Sequence, residues 1–314
     1  MCKRTCVVFL LCAMLVTPQA AFAWGDTGHM VVAYIAYEKL NQSNPKAAAR
    51  VDELVKLIAA NYSFENKQGK TVKVFKTYDR YSIANYMDDM RDDPASEYLK
   101  PWHFTNKPFF DGIPEKKLKL PKVNVVSQIA KSLQTIRKNA GATTAKKKYL
   151  EALYLAYLFH LVGDIHQPLH CSSRYSKAHP SGVGDQGGNL FTLAGERTKL
   201  HSYWDAGGGL FNFADVRRPL KSEGIAQLKT YAEEAMAAYA DTDAEWKDLN
   251  VAQWVSEGFA IAAPGAYRDT AGNMLPEGEK PDDEYQAKVK GIARKRLAMG
   301  GYRLAALLNE IYSD

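Results

Sequence analysis

The chain has 314 residues, of which 46% are hydrophobic and 24% charged, with a formal net charge of +6. This balance excludes a disordered chain, a fibre or a collagen-like repeat, and the length is ample for a large buried core. The mild positive charge favours anionic partners without naming one.

At the start, Lys3 and Arg4 precede an apolar run of 11 residues, Cys6 to Val16, and Ala21-Phe22-Ala23 follows with small residues at its first and third positions. This is the pattern of a secretory signal peptide over 1–23, and its apolar run is too short to span a bilayer. Cleavage after Ala23 would make Trp24 the N-terminus of an exported protein, periplasmic or secreted, with no membrane span. Lipidation at Cys12 is disfavoured because Leu11 precedes it. Cys2, Cys6 and Cys12 leave with the signal. Cys171 alone remains, so no internal disulfide is expected, and either a bound metal or ordinary packing holds the chain together.

From Trp24 to Asp314 the pattern is that of one mostly helical domain with a few short strands. His29 to Leu40 is apolar and aromatic and stops near Asn44-Pro45. Val125, Ile129, Leu133 and Ile136 mark an amphipathic helix ending before Gly141. Tyr149 to Val162 is apolar almost all round, with Glu151 its one acid, which predicts a buried central helix. Ile225 to Ala238 and Val251 to Ile261 follow. The last helical run, from Val289 to Ile311, is interrupted at Gly300-Gly301. Strands are expected at Val72 to Phe75 and Asn189 to Leu193. Loops are expected at 61–70, 109–121, 171–188 and 264–283. The basic cluster of Lys288, Lys290, Arg294, Lys295 and Arg296 reads as a solvated helix face rather than a nucleic-acid patch.

The 7 histidines are few, and six lie close to acids, tryptophans or one another. His160 and Asp164 are four apart near the end of the most apolar helix, so both project from one face. His201 and Asp205 repeat the spacing, and His170 follows Asp164 after the turn at Gln167-Pro168. Alone, each pair is an ordinary helix-surface ion pair. A carboxylate buried on so apolar a helix needs compensation, and a metal supplies it most simply. Imidazole and carboxylate donors suit zinc. His103 in Trp102-His103-Phe104 adds one donor and Asp88 another, although Asp88, Asp89, Asp92 and Asp93 also read as a solvated acidic turn. The free amine and carbonyl of Trp24 could chelate a metal, with His29 in reach; read alone, Trp24 is an apolar anchor.

Trp24-Gly25-x3-His29, Asp88, Trp102-His103-Phe104, His160-x3-Asp164-x5-His170, Gly187-Gly188-Asn189 and His201-x3-Asp205 occur in that order. Together they resemble the S1/P1 nuclease family of secreted zinc-dependent nucleases, from Trp24 to at least Asp205. Trp254 and Glu257 extend the likeness. The resemblance implies a phospholipase C/P1 nuclease-like helical fold holding three zinc ions. One ion would take Asp88, His103, His160 and Asp164. A second would take His170, His201 and Asp205, and the third Trp24, His29 and Asp164, with Asp164 shared. It further implies that Asp88 and Asp164 serve catalysis, that Arg91 stabilises transition-state charge, that Phe104 stacks on a base and that Asn189 binds substrate. His166 would support the ligands or pack without being one, and His179 has no role. Departures from the family pattern are the missing disulfides, Asn106 where some members place an aspartate that contacts the base, Tyr86 in place of a tryptophan, and a longer stretch between His170 and Gly187.

The expected chemistry is attack of zinc-activated water on phosphorus and cleavage of P–O3′, which leaves 5′-phosphates. Substrates would be single-stranded DNA and RNA, because stacking needs an unstacked base, together with 3′-nucleotides. The resemblance implies no stable protein partner and a monomer. Two other readings stay open. The zinc-dependent phospholipase C family shares the N-terminal tryptophan and the His-x3-Asp core, but its last ligand is a glutamate and its first histidine lies further from the terminus. A zinc-storage protein would use the ligands and have no use for Arg91, Phe104 or Asn189.

Overall fold

The computed structural model describes residues 24–66, 68–211 and 216–313. The signal-peptide reading and the three cysteines it contains lie outside that range. Among the described residues the chain is mainly helical, as expected, and its strands form two small sheets. No described helix is long and apolar enough to cross a membrane.

Helix α1 (Asp26–Ser43) buries His29 through Ala33 and most of the residues to Leu40. Asn44 ends it and also starts α2 (Pro45–Val55): its side chain accepts the Ala47 amide at 3.0 Å, and proline occupies the first turn. The same two residues that read as a stop are therefore also a start. Strands β1 (Ala59–Glu65) and β2 (Thr71–Thr77) form an antiparallel hairpin with Tyr62 opposite Val74. The strand expected at Val72–Phe75 lies within β2, but β1 fills half of a segment expected to be loop. Beyond the buried Ala60 its inner side chains are only half-buried, so the alternation of Tyr62 and Phe64 with polar residues is a weak signal.

A helical turn at 82–85 leads into α3 (Tyr86–Asp89), which is a single turn long. Strands β3 (Lys107–Phe110) and β4 (Ser172–Tyr175) pair in parallel and claim the starts of two expected loops. The strand expected at Asn189–Leu193 does not form; one bridge, Thr192 to Lys199, is all that stands there. Helix α4 (Val125–Asn139) starts with a capping box between Asn124 and Ser127. Helix α5 (Ala145–His166) is the expected central helix, buried without a break from Leu155 to its end. Glu151, in its first half, is fully buried and bound by Arg50 (2.6 Å) and the Tyr312 hydroxyl (3.0 Å).

Three further helices follow: α6 (Leu200–Asp205), α7 (Ser222–Ala238) and α8 (Val251–Ile261). The last, α9 (Asp283–Tyr312), runs straight through Gly300-Gly301, where an interruption was expected. The glycines are there for packing. A Cβ on Gly301 would lie 2.5 Å from the Ile35 side chain, so only glycine lets α9 lie against α1 at that point. The propensity cost of about 1 kcal/mol per helical glycine is outweighed by that contact. The main core is built around α1, α5 and α9, and a smaller core of Leu169, Phe191, Leu200, Trp204, Tyr267 and Tyr285 backs α6.

Four of the five residues of the basic cluster on α9 are tied down. Arg294 reaches Glu234 at 2.9 Å, Lys295 reaches Glu245 at 2.7 Å, and the Lys288 ammonium donates to the Pro264 carbonyl at 2.6 Å. Arg296 departs from the solvated-face reading: it is 1% exposed and bound to Glu257 at 2.8 Å.

Candidate metal centre and cleft

The side chains singled out by the sequence converge from five segments. His29 comes from the first turns of α1 and Asp88 from α3. His103 follows the helical turn at 94–102. His160 and Asp164 lie on the last turns of α5, with His170 just beyond, and His201 and Asp205 lie on α6. All eight side chains are almost completely buried, with His103 the most exposed at 11%. They form three groups whose ligand atoms could each hold a metal ion: Asp88, His103 and His160; His170, His201 and Asp205; and His29, His160 and Asp164.

Asp164 is the hub. Its Oδ2 lies 3.0 Å from His103 Nδ1 and 3.3 Å from His160 Nε2, while its Oδ1 lies 3.5 Å from His29 Nε2 and 3.7 Å from His170 Nδ1. His160 stands between two of the groups, with its ring stacked on His29 at 4.0 Å. Helix α5 reaches so close to α1 here that a Cβ on Gly163 would lie 2.6 Å from His29 Nδ1.

Backbone carbonyls aim the rings. His160 Nδ1 donates to Ala84 O (2.6 Å), His170 Nδ1 to His103 O (2.7 Å) and His201 Nδ1 to Gly187 O (2.6 Å). In a neutral ring the bonded nitrogen carries the proton, which leaves Nε2 with a bare lone pair pointing inward. Yet His170 Nε2 and His201 Nε2, both bare in these tautomers, sit 3.2 Å apart, whereas the 3.0 Å contact of His160 Nε2 with His103 Nδ1 is satisfied when His103 carries its proton on Nδ1. The two lone pairs of His170 and His201 repel unless a proton or a cation lies between them. A proton between them is disfavoured: burial brings His201 down to about 4 and holds His170 well below the ordinary value, with neighbouring histidines adding to the effect for His170. A cation remains. Two nitrogens bound to one tetrahedral zinc lie about 3.3 Å apart, close to the spacing found here.

The carboxylates point the same way. Burial pushes Asp88 up to about 6 and Asp164 and Asp205 well above the usual range. Asp164 Oδ1, Asp205 Oδ2 and both His29 nitrogens have no hydrogen-bond partner. Buried acceptors without donors are costly, and positive charge at the centre of the three groups would satisfy them together.

The supporting residues were harder to read from the sequence. Gln167, read as a turn residue, donates to Asp205 Oδ1 at 2.8 Å and accepts the Leu169 amide. Asp89, beside Asp88, is clamped by Lys76, by the Tyr78 hydroxyl at 2.9 Å and by Arg218, which also grips Asp26. Burial alone would raise the pKa of Asp89, but these cations hold it low. The clamp fixes the turn that presents Asp88. His166 faces away from the centre: Arg303 donates to its Nε2 at 3.0 Å, within a network joining Arg303, Arg296 and Glu257, and its ring lies against Trp254. His179 is in the loop after β4 and takes no part.

Trp24 is fully buried, and the neighbouring Gly25 amide donates to Asp205 O at 2.9 Å, pinning the start of α1 to α6. Over the centre lies a cleft of about 270 Å³ lined by Asp88, Arg91, His103, Phe104, His170, Asn189 and His201, with Lys100, Asn106, Val183 and Gln186 on its walls. Arg91, Phe104 and Asn189 thus meet at one opening above the ligands. Asn106 stands in a left-handed conformation with φ 50°.

Buried imidazoles and carboxylates facing one another beneath an open, arginine-bearing cleft are the layout of a hydrolytic site able to hold metal ions. The S1/P1 Nuclease family model matches residues 24–313. Nuclease S1 of Aspergillus oryzae is 25% identical over 321 residues, which cover 96% of each chain. Endonuclease 3 of Arabidopsis thaliana is 25% identical over 93% of this chain and 90% of its own, and Nuclease P1 of Penicillium citrinum is 24% identical over 93% and 98%. The chain belongs to the S1/P1 nuclease family. It is a hydrolase of the nuclease type.

Proposed function

We propose that the chain is an exported, zinc-dependent endonuclease that cuts single-stranded DNA and RNA at the P–O3′ bond, leaves 5′-phosphate ends, and also dephosphorylates 3′-nucleotides. The observation that carries this reading is the set of inward-facing nitrogens and unpartnered carboxylate oxygens beneath the Arg91–Phe104–Asn189 cleft.

Three ions fit the donors. Asp88, His103, His160 and Asp164 would hold one, and His170, His201 and Asp205 a second. The amine and carbonyl of Trp24 with His29 and Asp164 would hold the third, with Asp164 offering one oxygen to each of the two ions it serves. When bound, the zinc ions supply Lewis-acid stabilisation of the phosphate and a water nucleophile available near neutral pH. The rest is done by side chains. Phe104 stacks on a base and Asn189 binds the substrate beside it, which selects an unpaired strand. The Arg91 guanidinium faces the charge that builds on the phosphate and the departing O3′. Burial keeps the histidines neutral, so they are ready to act as ligands.

Incubation of protein starting at Trp24 with single-stranded DNA, with and without a chelator, tests the reading. Chelator-sensitive digestion to 5′-phosphate ends is expected. Fully zinc-loaded protein that digests nothing would overturn it. Asp164→Asn is expected to lose bound zinc, measured by elemental analysis, together with activity; full retention of both would remove Asp164 from the centre.

A further inference from the structure

The stretch from Lys116 to Lys148 holds ten of the chain's 41 lysines and arginines and none of its 35 acids. Without it the chain would be net acidic, so the positive charge of the whole molecule is concentrated here. It comprises the loop between β3 and α4, helix α4, and the first turn of α5. Part of this charge is already engaged. Arg137 pairs with Glu310 and Lys148 with Glu53, while the Lys131 ammonium lies over the rings of Trp102 (5.4 Å) and Tyr154 (5.7 Å). Lys138, Lys146 and Lys147 stand at the far end of α4, about 20 Å from its start at 1.5 Å per residue.

The loop is different. From Pro114 to Val123 every residue is exposed, and Lys116, Lys117, Lys119 and Lys122 have no hydrogen-bond or ion-pair partner among the described residues. The one acid in that span is Glu115. The basic cluster on α9, by contrast, is bound to Glu234, Glu245 and Glu257. Both ends of the loop are fixed. The Asp111 amide donates to the Tyr175 carbonyl at 2.8 Å, and the Asn124 side chain donates to the Pro121 carbonyl at 2.8 Å. The Val125 amide donates at 3.3 Å to the carbonyl of Phe104, a residue that lines the cleft over the centre.

Four unpaired ammonium groups on a loop anchored beside that cleft offer a strand leaving it what its backbone needs, fixed positive charge. No aromatic side chain lies between Asp111 and Asn124, so the loop has no stacking surface for a base and can grip only phosphates. Its aliphatic side chains, Leu118, Leu120 and Val123, each have more than half of their surface covered, which favours seating of the loop on the protein over insertion into a lipid layer. We propose that Lys116, Lys117, Lys119 and Lys122 form a phosphate-binding track that holds a long polynucleotide outside the cleft, on the Phe104 side of the centre. The proposal rests on the nuclease reading. Acting on phosphates alone, the track is indifferent to sequence, and it engages only strands that extend past the cleft.

The test compares KM and kcat of zinc-loaded protein on a single-stranded 30-mer and on a dinucleoside monophosphate over a range of salt. Combining Lys116→Gln, Lys117→Gln, Lys119→Gln and Lys122→Gln is expected to raise KM for the 30-mer about 10- to 100-fold at low salt. The slope of log KM against log salt should fall by about 2 to 3, since each phosphate contact on a single strand contributes about 0.7. KM for the dinucleotide and both kcat values should hold. The charge-keeping combination of Lys116→Arg, Lys117→Arg, Lys119→Arg and Lys122→Arg should preserve the 30-mer KM and its slope. Lys46→Gln, Lys56→Gln, Lys229→Gln and Lys247→Gln together remove the same charge from exposed positions elsewhere and control for net charge. An unchanged slope in the loop glutamine variant, an equal rise on both substrates, or an equal effect in the control variant overturns the track and leaves the nuclease reading standing. Wild-type protein that cleaves neither substrate overturns both. A loop variant that keeps the 30-mer KM but no longer sediments with vesicles of equal parts phosphatidylglycerol and phosphatidylcholine would assign the loop to a membrane surface and overturn the proposal.

Discussion

Gly163 sits inside a helix, where alanine normally gains about 1 kcal/mol. Here the sign reverses, because the added methyl would overlap the His29 ring, 2.6 Å away. Gly163→Ala is expected to lose bound metal and most activity while keeping its helical circular dichroism; unchanged zinc content would show that His29 can give way. The histidines and aspartates of the centre were legible because imidazoles are scarce in this chain and two pairs repeat the spacing of one helical turn. What aims them was not. The carbonyls of Ala84, His103 and Gly187 carry no side-chain signature, and nothing local in Asp89 or Arg218 announces that they meet across 129 positions.

Helices α8 and α9 are joined by a buried charge network. Glu257 takes bonds from Arg303 at 2.7 Å and Arg296 at 2.8 Å, both arginines almost fully buried. Burial alone would raise the Glu257 pKa, but the two guanidiniums outweigh it and hold the carboxyl below its ordinary value. Such a group stabilises the fold above the ordinary carboxylate range, and that contribution disappears as pH falls through the depressed value. Glu257→Gln, which strands two buried cations, is expected to cost about 3–5 kcal/mol at pH 7 in denaturant unfolding. The gap to wild type should close in acid; a pH-independent gap would mean that shape, not charge, is what matters. At this scale the long apolar helices were plain in the sequence. The hairpin and the continuity of α9 were not, since half-buried strands give weak alternation and a glycine pair reads as a break until its partner, Ile35, is known.

Across the whole molecule, metal is expected to stabilise the fold as well as the site. With the centre stripped, buried lone pairs and carboxylates face one another, so a chelator should lower the melting temperature sharply and zinc should restore it. A shift of less than about 2 °C would mean that the helices hold the centre without help. Protein with one extra residue before Trp24 is expected to bind one zinc fewer and to lose most activity; full zinc content would remove the N-terminal amine from the ligands.

All the proposed ligands lie between Trp24 and Asp205, yet α1, which carries His29, is packed along its length against α9 at the far end of the chain. A chain that emerges N-terminus first therefore displays all its proposed side-chain donors well before the helix that backs α1 has been made. If the eight proposed donors do bind metal, that interval leaves them open to the wrong metal, or to metal in the wrong arrangement. A chain that stops before α9 is expected to hold every proposed side-chain donor and yet not to cut; full activity of such a truncation would show that α1 needs no backing from α9.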